Sequence, residues 1–331
     1  DGGIFKSTDG GTTFSDALNI GLATHLIYSV GSSLNNPNAV IGGFQDNGTR
    51  VRSGSTSTFN QYLGGDGFGS DVNRSNANQM LGSLYYSRIY KSTNGGSTFT
   101  SACSGISECN NSSSAPFNTG IVSWQGDASG NTVFTWANLK AYKSTNYATS
   151  WTALGTSGLP TTSFAIRGLG VDPSNVNRLG LVASGGRVFL STNGGSTWTQ
   201  TSALPNNGLS MSSVAFDPSN ANVVYVTSVA ADATKTHAWK SNDFGVSWSA
   251  IDGNGFPTGV PVNNIELDPG SSSTLYAGTH LGVYRSNDSG ATWSRFGNGL
   301  PLVNVTDVYV SPDSSLVRAS TFGRGFWQLT P

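Results

Sequence analysis

The stretch STNGGSTW, which runs from Ser191 to Trp198, decides the fold because five similar stretches recur along the chain. Each copy follows the pattern Ser-x-Asp/Asn-x-Gly-x-Ser/Thr-Trp/Phe, except that Ala148 replaces the glycine in one of them. The other copies are STDGGTTF at Ser7–Phe14, STNGGSTF at Ser92–Phe99, STNYATSW at Ser144–Trp151, SNDFGVSW at Ser241–Trp248 and SNDSGATW at Ser286–Trp293. We call these six stretches the turn cassettes.

The residue types of the turn cassettes predict tight turns that lead into buried aromatic rings. An Asp or Asn side chain accepts hydrogen bonds from backbone N–H groups two or three residues on, and glycine supplies positive φ. The aromatic residue begins the next strand, where one ring removes about 150–250 Å² from water. We therefore assign Trp151, Trp198, Trp248 and Trp293 to the core. The third residues of the cassettes are predicted to be structural; they are Asp9, Asn94, Asn146, Asn193, Asp243 and Asp288.

The spacing of the turn cassettes predicts an all-β, seven-bladed β-propeller of four-stranded antiparallel blades. The third residues of successive cassettes are 85, 52, 47, 50 and 45 residues apart, so the first interval spans two units. A period of about 45 residues with four strands per unit is typical of propeller blades. Seven inner strands are predicted to begin near His25, Gly67, Thr119, Ser163, Met211, Val262 and Val305.

The two ends of the chain predict how the ring closes. The C-terminal segment supplies three strands, so the fourth strand of the seventh blade is expected from the N-terminus, around Thr12–Ser15. The N-terminus also carries its own strand at Ile4–Ser7, which leaves one strand too many. We interpret residues 1–331 as a single propeller and favour truncation or processing at Asp1, with an upstream blade or a second propeller removed; the alternative is an irregular arrangement of the seventh blade.

Composition excludes several classes of partner. The chain has 331 residues, 11% charged residues and a formal charge of -1, so it lacks the basic excess that nucleic acid or an anionic membrane requires. No apolar run approaches the roughly 18 residues of a membrane span. The paired cysteines Cys103 and Cys109, in a Ser/Asn-rich loop, suit a disulfide in a secreted protein, with two free thiols as the alternative.

Turns between the second and third strands of each unit are predicted to surround a ligand funnel. Aligned unit by unit, they place aromatic, amide and weakly charged side chains in one ring. Such side chains suit a carbohydrate, whose C–H faces stack on aromatic rings and whose hydroxyls need donors and acceptors. The candidate ligand-binding residues are Gln45, Tyr85, Tyr86, Trp136, His280 and Arg324. For Tyr85 and Trp136, packing against neighbouring blades is the alternative.

Two glycine-rich loops carry the candidate catalytic residues. Asp46 lies in GGFQDNGT and Asp66 lies in GGDGFGSD, where uncovered backbone can approach a ligand. Inverting glycosidases need an acid and a base about 6.5–9.5 Å apart, which these two aspartates could supply. Each could instead stabilise a turn, or bind calcium together with Asp71. We assign no metal site and no cofactor.

The cassettes resemble the Asp-box, or BNR repeat, of β-propellers such as family-74 glycoside hydrolases, sialidases and sortilin-type receptors. In those families the box lies away from the active-site face. Similarity to family 74 implies a secreted enzyme that cuts xyloglucan and related β-glucans with two aspartates. Asp46 is similar to that family's Asp-x-Gly-Gly aspartate in position and neighbours, but the motif departs because Asn47-Gly48-Thr49 replaces the glycine pair. That family places its catalytic aspartates on two tandem propellers that face one cleft, so the resemblance implies that one propeller supplies half of such an active site.

Two other functions stay open. Sialidases need three arginines, for which Arg88, Arg167 and Arg324 are available, but no Arg-Ile-Pro motif is present. Sortilin-type propellers bind extracellular proteins without catalysis. The favoured function is a secreted propeller that engages extracellular polysaccharide or glycan through its funnel, and the alternative is a cell-surface, protein-binding propeller.

Overall fold

Short runs of alternating apolar and polar residues produce strands throughout the computed structural model, which describes residues 4–21, 24–33 and 35–331. Within these residues the strands form seven antiparallel sheets, six with four strands and one with three. The seven-bladed β-propeller predicted from the repeat is confirmed. The start at Asp1, on which we based the expectation of a processed chain, lies outside the described residues.

The blades follow one another in chain order. Blades 1 and 2 contain β1 (Ile27–Ser32), β2 (Val40–Phe44), β3 (Gly48–Arg52), β4 (Phe59–Leu63), β5 (Gly67–Val72), β6 (Met80–Leu84), β7 (Arg88–Ser92) and β8 (Thr100–Ser101). Blades 3 and 4 contain β9 (Val122–Ser123), β10 (Val133–Trp136), β11 (Ala141–Ser144), β12 (Thr152–Ala153), β13 (Ile166–Val171), β14 (Leu179–Ala183), β15 (Arg187–Ser191) and β16 (Thr199–Gln200).

The remaining three blades complete the ring. Blade 5 contains β17 (Met211–Phe216), β18 (Val224–Ser228), β19 (Ala238–Ser241) and β20 (Ser249–Ala250). Blades 6 and 7 contain β21 (Val262–Asp268), β22 (Ser271–Thr279), β23 (Gly282–Ser286), β24 (Ser294–Phe296), β25 (Val305–Val310), β26 (Val317–Thr321) and β27 (Phe326–Leu329). The helical content of the described residues is one 3₁₀ turn at Ala17–Asn19, so no described helix is long enough to cross a membrane.

The turn cassettes connect the third and fourth strands, or the equivalent arms of the N-terminal hairpin. In the cassette of blade 6, Asp288 Oδ1 accepts a hydrogen bond from the Thr292 N–H at 2.8 Å, and Ser286 Oγ accepts one from the Gly290 N–H at 2.8 Å. The same pair of bonds recurs in the other five cassettes. The acceptor therefore reaches four residues on, not the two or three expected from a simple Asx turn.

These bonds lock the cassette carboxylates in their charged form. Hydrogen bonds from the hydroxyl and then the N–H of Thr292 lower the pKa of Asp288 to about 2, and Thr13 does the same for the pKa of Asp9. A carboxylate that holds a turn in this way is a poor proton donor at neutral pH. The four cassette tryptophans are buried between blades, as their assignment to the core requires.

Six of the seven innermost strands contain an irregularity near their start. The pairing register shifts between Ile27 and Ser29, Gly67 and Ser70, Ile166 and Gly168, Met211 and Ser213, Val262 and Asn264, and Val305 and Asp307. A bulge of this kind leaves an extra residue unpaired and redirects its side chain. We call the residues directly after the first member of each pair the bulge positions; they are Tyr28, Phe68, Arg167, Ser212, Asn263 and Thr306.

The prediction that the N-terminus supplies the fourth strand of blade 7 is wrong for the described residues. The N-terminal cassette forms its own hairpin, in which Lys6 bridges Ser15, and β27 has only β26 as a strand partner. The ring closes through a backbone bridge between Leu26 and Phe322, with the Gly323 N–H donating to the His25 carbonyl at 3.0 Å, and through side chains. Thr306 Oγ1 donates to the Ile27 carbonyl at 2.6 Å, and Asp307 Oδ2 accepts from the Val30 N–H at 3.0 Å.

A buried arginine adds to the closure between blades 7 and 1. The Arg318 guanidinium donates to Ser32 Oγ and to the Pro37 carbonyl, both in blade 1. Phe326 of β27 also packs on Phe44 and Phe59, with ring centroids 5.7 and 4.9 Å apart. Contacts between side chains, together with the backbone bridge at Leu26 and Phe322, therefore hold the seam, and no fourth strand from the N-terminus takes part.

Candidate ligand-binding funnel

Strand direction places two sets of loops at one end of the ring. Each innermost strand begins there, because the antiparallel order returns the chain to that end at the turn between the second and third strands. We call this the funnel end. It carries most of the predicted site residues, including Gln45, Asp46, Tyr85 and His280 in second-to-third turns and Asp66 in the connection between blades 1 and 2.

The two candidate catalytic residues are neighbours. The Asp46 N–H donates to Asp66 Oδ1 at 2.7 Å, across a sequence separation of 20 residues. Because an aspartate carboxyl carbon lies about 3 Å from its own backbone nitrogen, the two carboxyl groups lie within about 7 Å of each other. This upper limit admits the spacing of roughly 5–5.5 Å in retaining glycosidases and the lower end of the inverting range, which begins at about 6.5 Å.

Tyr28 lies beside this pair at the first bulge position. Its hydroxyl donates to Gln45 Oε1 at 3.1 Å, which fixes the amide in the second-to-third turn of blade 1. Burial and then the carboxylates of Asp66 and Asp46 raise the pKa of Tyr28, so the phenol stays protonated and can donate a hydrogen bond. The site therefore combines two carboxylates with a neutral phenol and an amide.

Aromatic rings form a continuous row next to the aspartates. The ring centroids are 5.4 Å apart for Phe322 and Tyr28, 4.8 Å for Tyr28 and Phe68, and 5.3 Å for Phe68 and Phe117. Phe117 then stacks on Tyr85 at 5.9 Å with an interplanar angle of 6°. We call these rings, together with Tyr86, the aromatic row. It extends from blade 7 over blade 1 to blade 2.

Phe117 is the ring of the row most open to a ligand. Tyr85 is enclosed, because the Arg88 guanidinium lies 4.0 Å from its centroid on one side and Phe117 stacks on it. Phe117 keeps 52% of its surface exposed, whereas Phe68 is buried and Tyr85 and Tyr86 are half-buried. The sequence indicated Tyr85 and Tyr86 but not Phe117, because Phe117 lies in the irregular loop 102–121, which has no counterpart in the repeat.

The backbone of Tyr86 is strained in a way that marks this turn. Tyr86 and Ser87 have φ of 62° and 55°, and the equivalent turn of blade 4 meets the same demand with Gly185 and Gly186 at 74° and 69°. A bulky residue in this region costs on the order of 1–3 kcal/mol. Strain of this kind is concentrated at functional sites, and here it places an aromatic side chain at the funnel end.

The loop that carries Phe117 is fastened at several points. Cys103 and Cys109 form the predicted disulfide. Between them, Glu108 accepts a hydrogen bond from the Tyr142 hydroxyl and pairs with Lys140 Nζ at 3.1 Å, which ties the loop to blade 3. The Tyr86 N–H donates to the Pro116 carbonyl at 3.0 Å, next to Phe117. The exposed ring therefore sits on a well-supported segment.

The remaining predicted residues do not join the aromatic row. Trp136 ends β10 and is buried in the cluster between blades 3 and 4, so its indole is largely covered by packing. His280 is exposed on blade 6, where burial of its ring and the charge of His237 lower its pKa. Arg324 is exposed in the last turn of blade 7.

Asp71 accepts hydrogen bonds from the Ser123 and Tyr147 hydroxyls in the channel, away from Asp46 and Asp66. Among the described residues, no group of three or more His, Cys, Asp or Glu side chains could hold a metal ion.

A central channel continues below the funnel end. It encloses about 580 Å³ and is lined by residues of the innermost strands, among them Asp71, Arg167, Ser213, Asn264, Glu266 and Asp307. The Glu266 side chain is open to the channel but has protein on the other sides, and burial followed by the charge of Asp307 raises the pKa of its carboxyl to about 8. Burial likewise raises the pKa of Asp307 to about 7.

These two carboxyl groups predict a pH-dependent stability. At low pH both carboxyl groups are protonated in the folded and in the unfolded chain. Between their ordinary pKa values and the raised pKa values of the folded chain, only the unfolded chain loses these protons. Their contribution to stability is therefore present at pH 4 and is lost as the pH rises through about 7 and about 8. We expect the free energy of unfolding, measured in urea, to fall between pH 5 and 8, and Glu266→Gln to reduce this fall. Asp232→Asn, which removes an exposed carboxylate of lowered pKa, should leave it unchanged. An identical fall in Glu266→Gln would contradict the assignment.

Similarity to known proteins agrees with this architecture. The family model described as sortilin, neurotensin receptor 3, matches residues 139–255, which is less than half of the chain. No curated protein matches the sequence. Among solved structures, an ancestral GH74 enzyme has a TM-score of 0.73 at 18% identity and covers 93% of this chain. The chain is a propeller domain.

Two further structures differ in how much of their own length is matched. The GH74 xyloglucanase from Xanthomonas campestris has a TM-score of 0.68 at 14% identity, over 93% of this chain and 52% of the enzyme. This chain thus spans about half the length of the GH74 enzymes, with 45% of the ancestral one matched. YCF48 from Cyanidioschyzon merolae has a TM-score of 0.67 at 11% identity, over 94% of this chain and 97% of that protein. At these identities the likeness shows the fold alone.

Proposed function

We propose that the funnel end binds an extracellular polysaccharide, with β-linked glucans as the first candidates. One observation carries the proposal: an aromatic row with one exposed ring, Phe117, borders a pair of carboxylates that the fold brings together from two blades. Aromatic faces pack against the C–H faces of sugars, and carboxylate oxygens accept hydrogen bonds from hydroxyls. Over a short distance the site offers both kinds of contact.

The polar groups define where the sugar hydroxyls would lie. Asp46 is exposed at a turn, Asp66 is half-buried beside it, and the Tyr28 phenol stays neutral next to both. A sugar ring on Phe117 and the neighbouring rings would direct its hydroxyls toward this group of acceptors. An extracellular location is part of the proposal, supported by the Cys103–Cys109 disulfide and the low content of charged residues.

Hydrolysis is tested together with binding. The spacing of Asp46 and Asp66 suits a glycosidase pair, but this chain matches about half of the GH74 enzymes it resembles. We therefore propose binding as the function of this chain. Release of reducing sugar by the wild-type protein, lost in Asp46→Asn and Asp66→Asn, would assign a hydrolase instead.

A protein ligand is the second candidate. Two observations favour it: the sortilin model matches the outer strands of blade 3 and all of blades 4 and 5, and a YCF48 structure described as bound to D1 peptide is matched over 94% of its length, with a TM-score of 0.62. An aromatic row also binds peptide side chains. Competition between β-glucan oligosaccharides and peptides for one site separates the two candidates.

The test of the proposed function uses two exposed aromatic residues. Phe117→Ala removes the open platform and is expected to weaken binding of a gluco-oligosaccharide roughly tenfold, since one stacked ring contributes about 1–3 kcal/mol in comparable stacking sites. Tyr62→Ala is the matched control, because Tyr62 is 40% exposed but lies on the outer strand β4. Isothermal titration calorimetry gives both affinities. Equal affinity of the two variants, or no binding by the wild type to any glucan tested, would reject the proposal.

A further inference from the structure

The six bulge positions reveal one residue that the fold does not use. In blades 5, 6 and 7 the side chain at this position bonds to the next blade. Ser212 Oγ donates to the Val262 carbonyl at 2.6 Å, Asn263 Nδ2 donates to the Val305 carbonyl at 2.7 Å, and Thr306 Oγ1 donates to the Ile27 carbonyl. These three side chains form a belt that joins neighbouring blades.

The side chains at the other three bulge positions do not belong to this belt. Tyr28 and Phe68 belong to the aromatic row. The side chain of Arg167, in blade 4, is exposed, and its guanidinium makes no hydrogen bond or ion pair with any other residue that the structure describes. A long cation with five donors therefore occupies a position where a serine or threonine is enough to link blades. No contact among the described residues accounts for an arginine at this position.

Arg167 lies level with the aromatic row, on the far side of the channel. Ile166 pairs with Ala183 just as Ile27 pairs with Phe44, so Arg167 and Tyr28 start their strands at the same height. Blade 4 is three blades away from blade 1 in a ring of seven, which places the two residues across the opening. Arg167 also lines the channel, together with Ser213 of blade 5.

The acidic residues of the channel do not neutralise this cation. Asp71 is held by Ser123 and Tyr147, and Asp307 accepts from the Val30 N–H and from Asn264 Nδ2 at 3.0 Å. Glu266 stands three residues further along its strand than the bulge position, which is about 10 Å deeper at 3.3 Å per residue. The guanidinium at the opening is left to a ligand.

We propose that Arg167 binds a carboxylate on the polysaccharide, so that the ligand of the funnel is a glycan containing uronic acid. This inference rests on the proposed function. The planar guanidinium fork matches a carboxylate with two parallel hydrogen bonds. One unpaired arginine opposite two aspartates suits a polymer with an occasional carboxylate better than a densely charged polyanion, which Asp46 and Asp66 would repel. A neutral sugar on the aromatic row and a uronate at Arg167 satisfy both sides of the opening.

The experiment compares one oligosaccharide in two forms. Calorimetric affinities are measured for a cello-oligosaccharide and for the same compound oxidised at C6 to carry uronate groups. We expect the wild type to bind the oxidised form roughly tenfold more tightly, with a preference that shrinks as salt is added.

Arg167→Gln should lose the preference and keep its affinity for the neutral form. Arg167→Lys should keep part of the preference, since it retains charge without the planar fork. Lys6→Gln, which removes an exposed cation of the N-terminal hairpin, is the control and should behave as the wild type.

The outcomes distinguish the uronate assignment from the polysaccharide-binding function on which it rests. Binding of both forms with equal affinity, unchanged by Arg167→Gln, overturns the uronate assignment and leaves the polysaccharide proposal standing. Failure of both forms to bind rejects the proposed function, and tight binding of an acidic peptide instead assigns Arg167 to a protein ligand. A preference that survives Arg167→Gln also overturns the assignment.

Discussion

Trp198→Ala is expected to lower the free energy of unfolding by about 3–5 kcal/mol, the range for deletion of a large buried aromatic side chain. Trp198 is 4% exposed and packs in the cluster shared by blades 3 and 4. Its indole N–H also donates to the Gly155 carbonyl at 2.9 Å, which would lose its donor.

The N-terminal cassette supplies an unusually close control. Phe14 occupies the same cassette position as Trp198, in a turn with the same hydrogen bonds, but it is 63% exposed. Phe14→Ala should change the free energy of unfolding by no more than about 0.5 kcal/mol, as exposed substitutions usually do. Urea titration followed by circular dichroism measures both, because it does not depend on the deleted indole. Similar losses in both variants would show that the cassette, and not the burial of its aromatic residue, determines the cost.

The elements that repeat were predictable from the sequence. The cassettes and their period predicted the number of blades, and the four cassette tryptophans assigned to the core are buried in the structure. Local hydrogen bonding and burial determine these features, so each unit carries its own signal. The sequence offered a pairing of Asp46 with Asp66 as one alternative, beside turn-stabilising and calcium-binding roles, because both aspartates lie in glycine-rich loops.

The features that break the repeat were not predictable. Phe117 reaches the aromatic row from a loop without periodicity, and Tyr28 and Phe68 do so because bulges redirect them. A strand pattern shows alternation but not where one residue is left unpaired. Arg167 was considered only as one of three arginines for a sialidase clamp, although its position relative to Ser212, Asn263 and Thr306 is what distinguishes it. Closure of the ring depended on contacts between residues almost 300 positions apart, which no local pattern encodes.

Arg318→Met is expected to lower the free energy of unfolding by roughly 2–3 kcal/mol, because it removes the polar link across the seam between blades 7 and 1. Arg318 is 4% exposed, and methionine keeps much of its apolar stem. The cost comes from its acceptors: Ser32 is itself buried, and the Pro37 carbonyl loses the same guanidinium. Some of this cost is offset, since the charge no longer needs to be buried without a carboxylate partner.

Arg52→Met separates the seam from the general cost of losing an arginine. Arg52 lies on β3 and donates to the Thr56 and Ser55 carbonyls within its own blade, so its loss should cost less than about 1 kcal/mol. Urea titration of the two variants, with hydrogen exchange at the Val30 amide that bonds Asp307 across the seam, gives the comparison. Faster exchange at Val30 in Arg318→Met alone would show that the seam opens first where β27 has no outer strand. If the two variants lose equal stability and Val30 exchange is unchanged, the ring closes without Arg318, through the bonds of Thr306 and Asp307 to blade 1 and the stacking of Phe326 on Phe44 and Phe59.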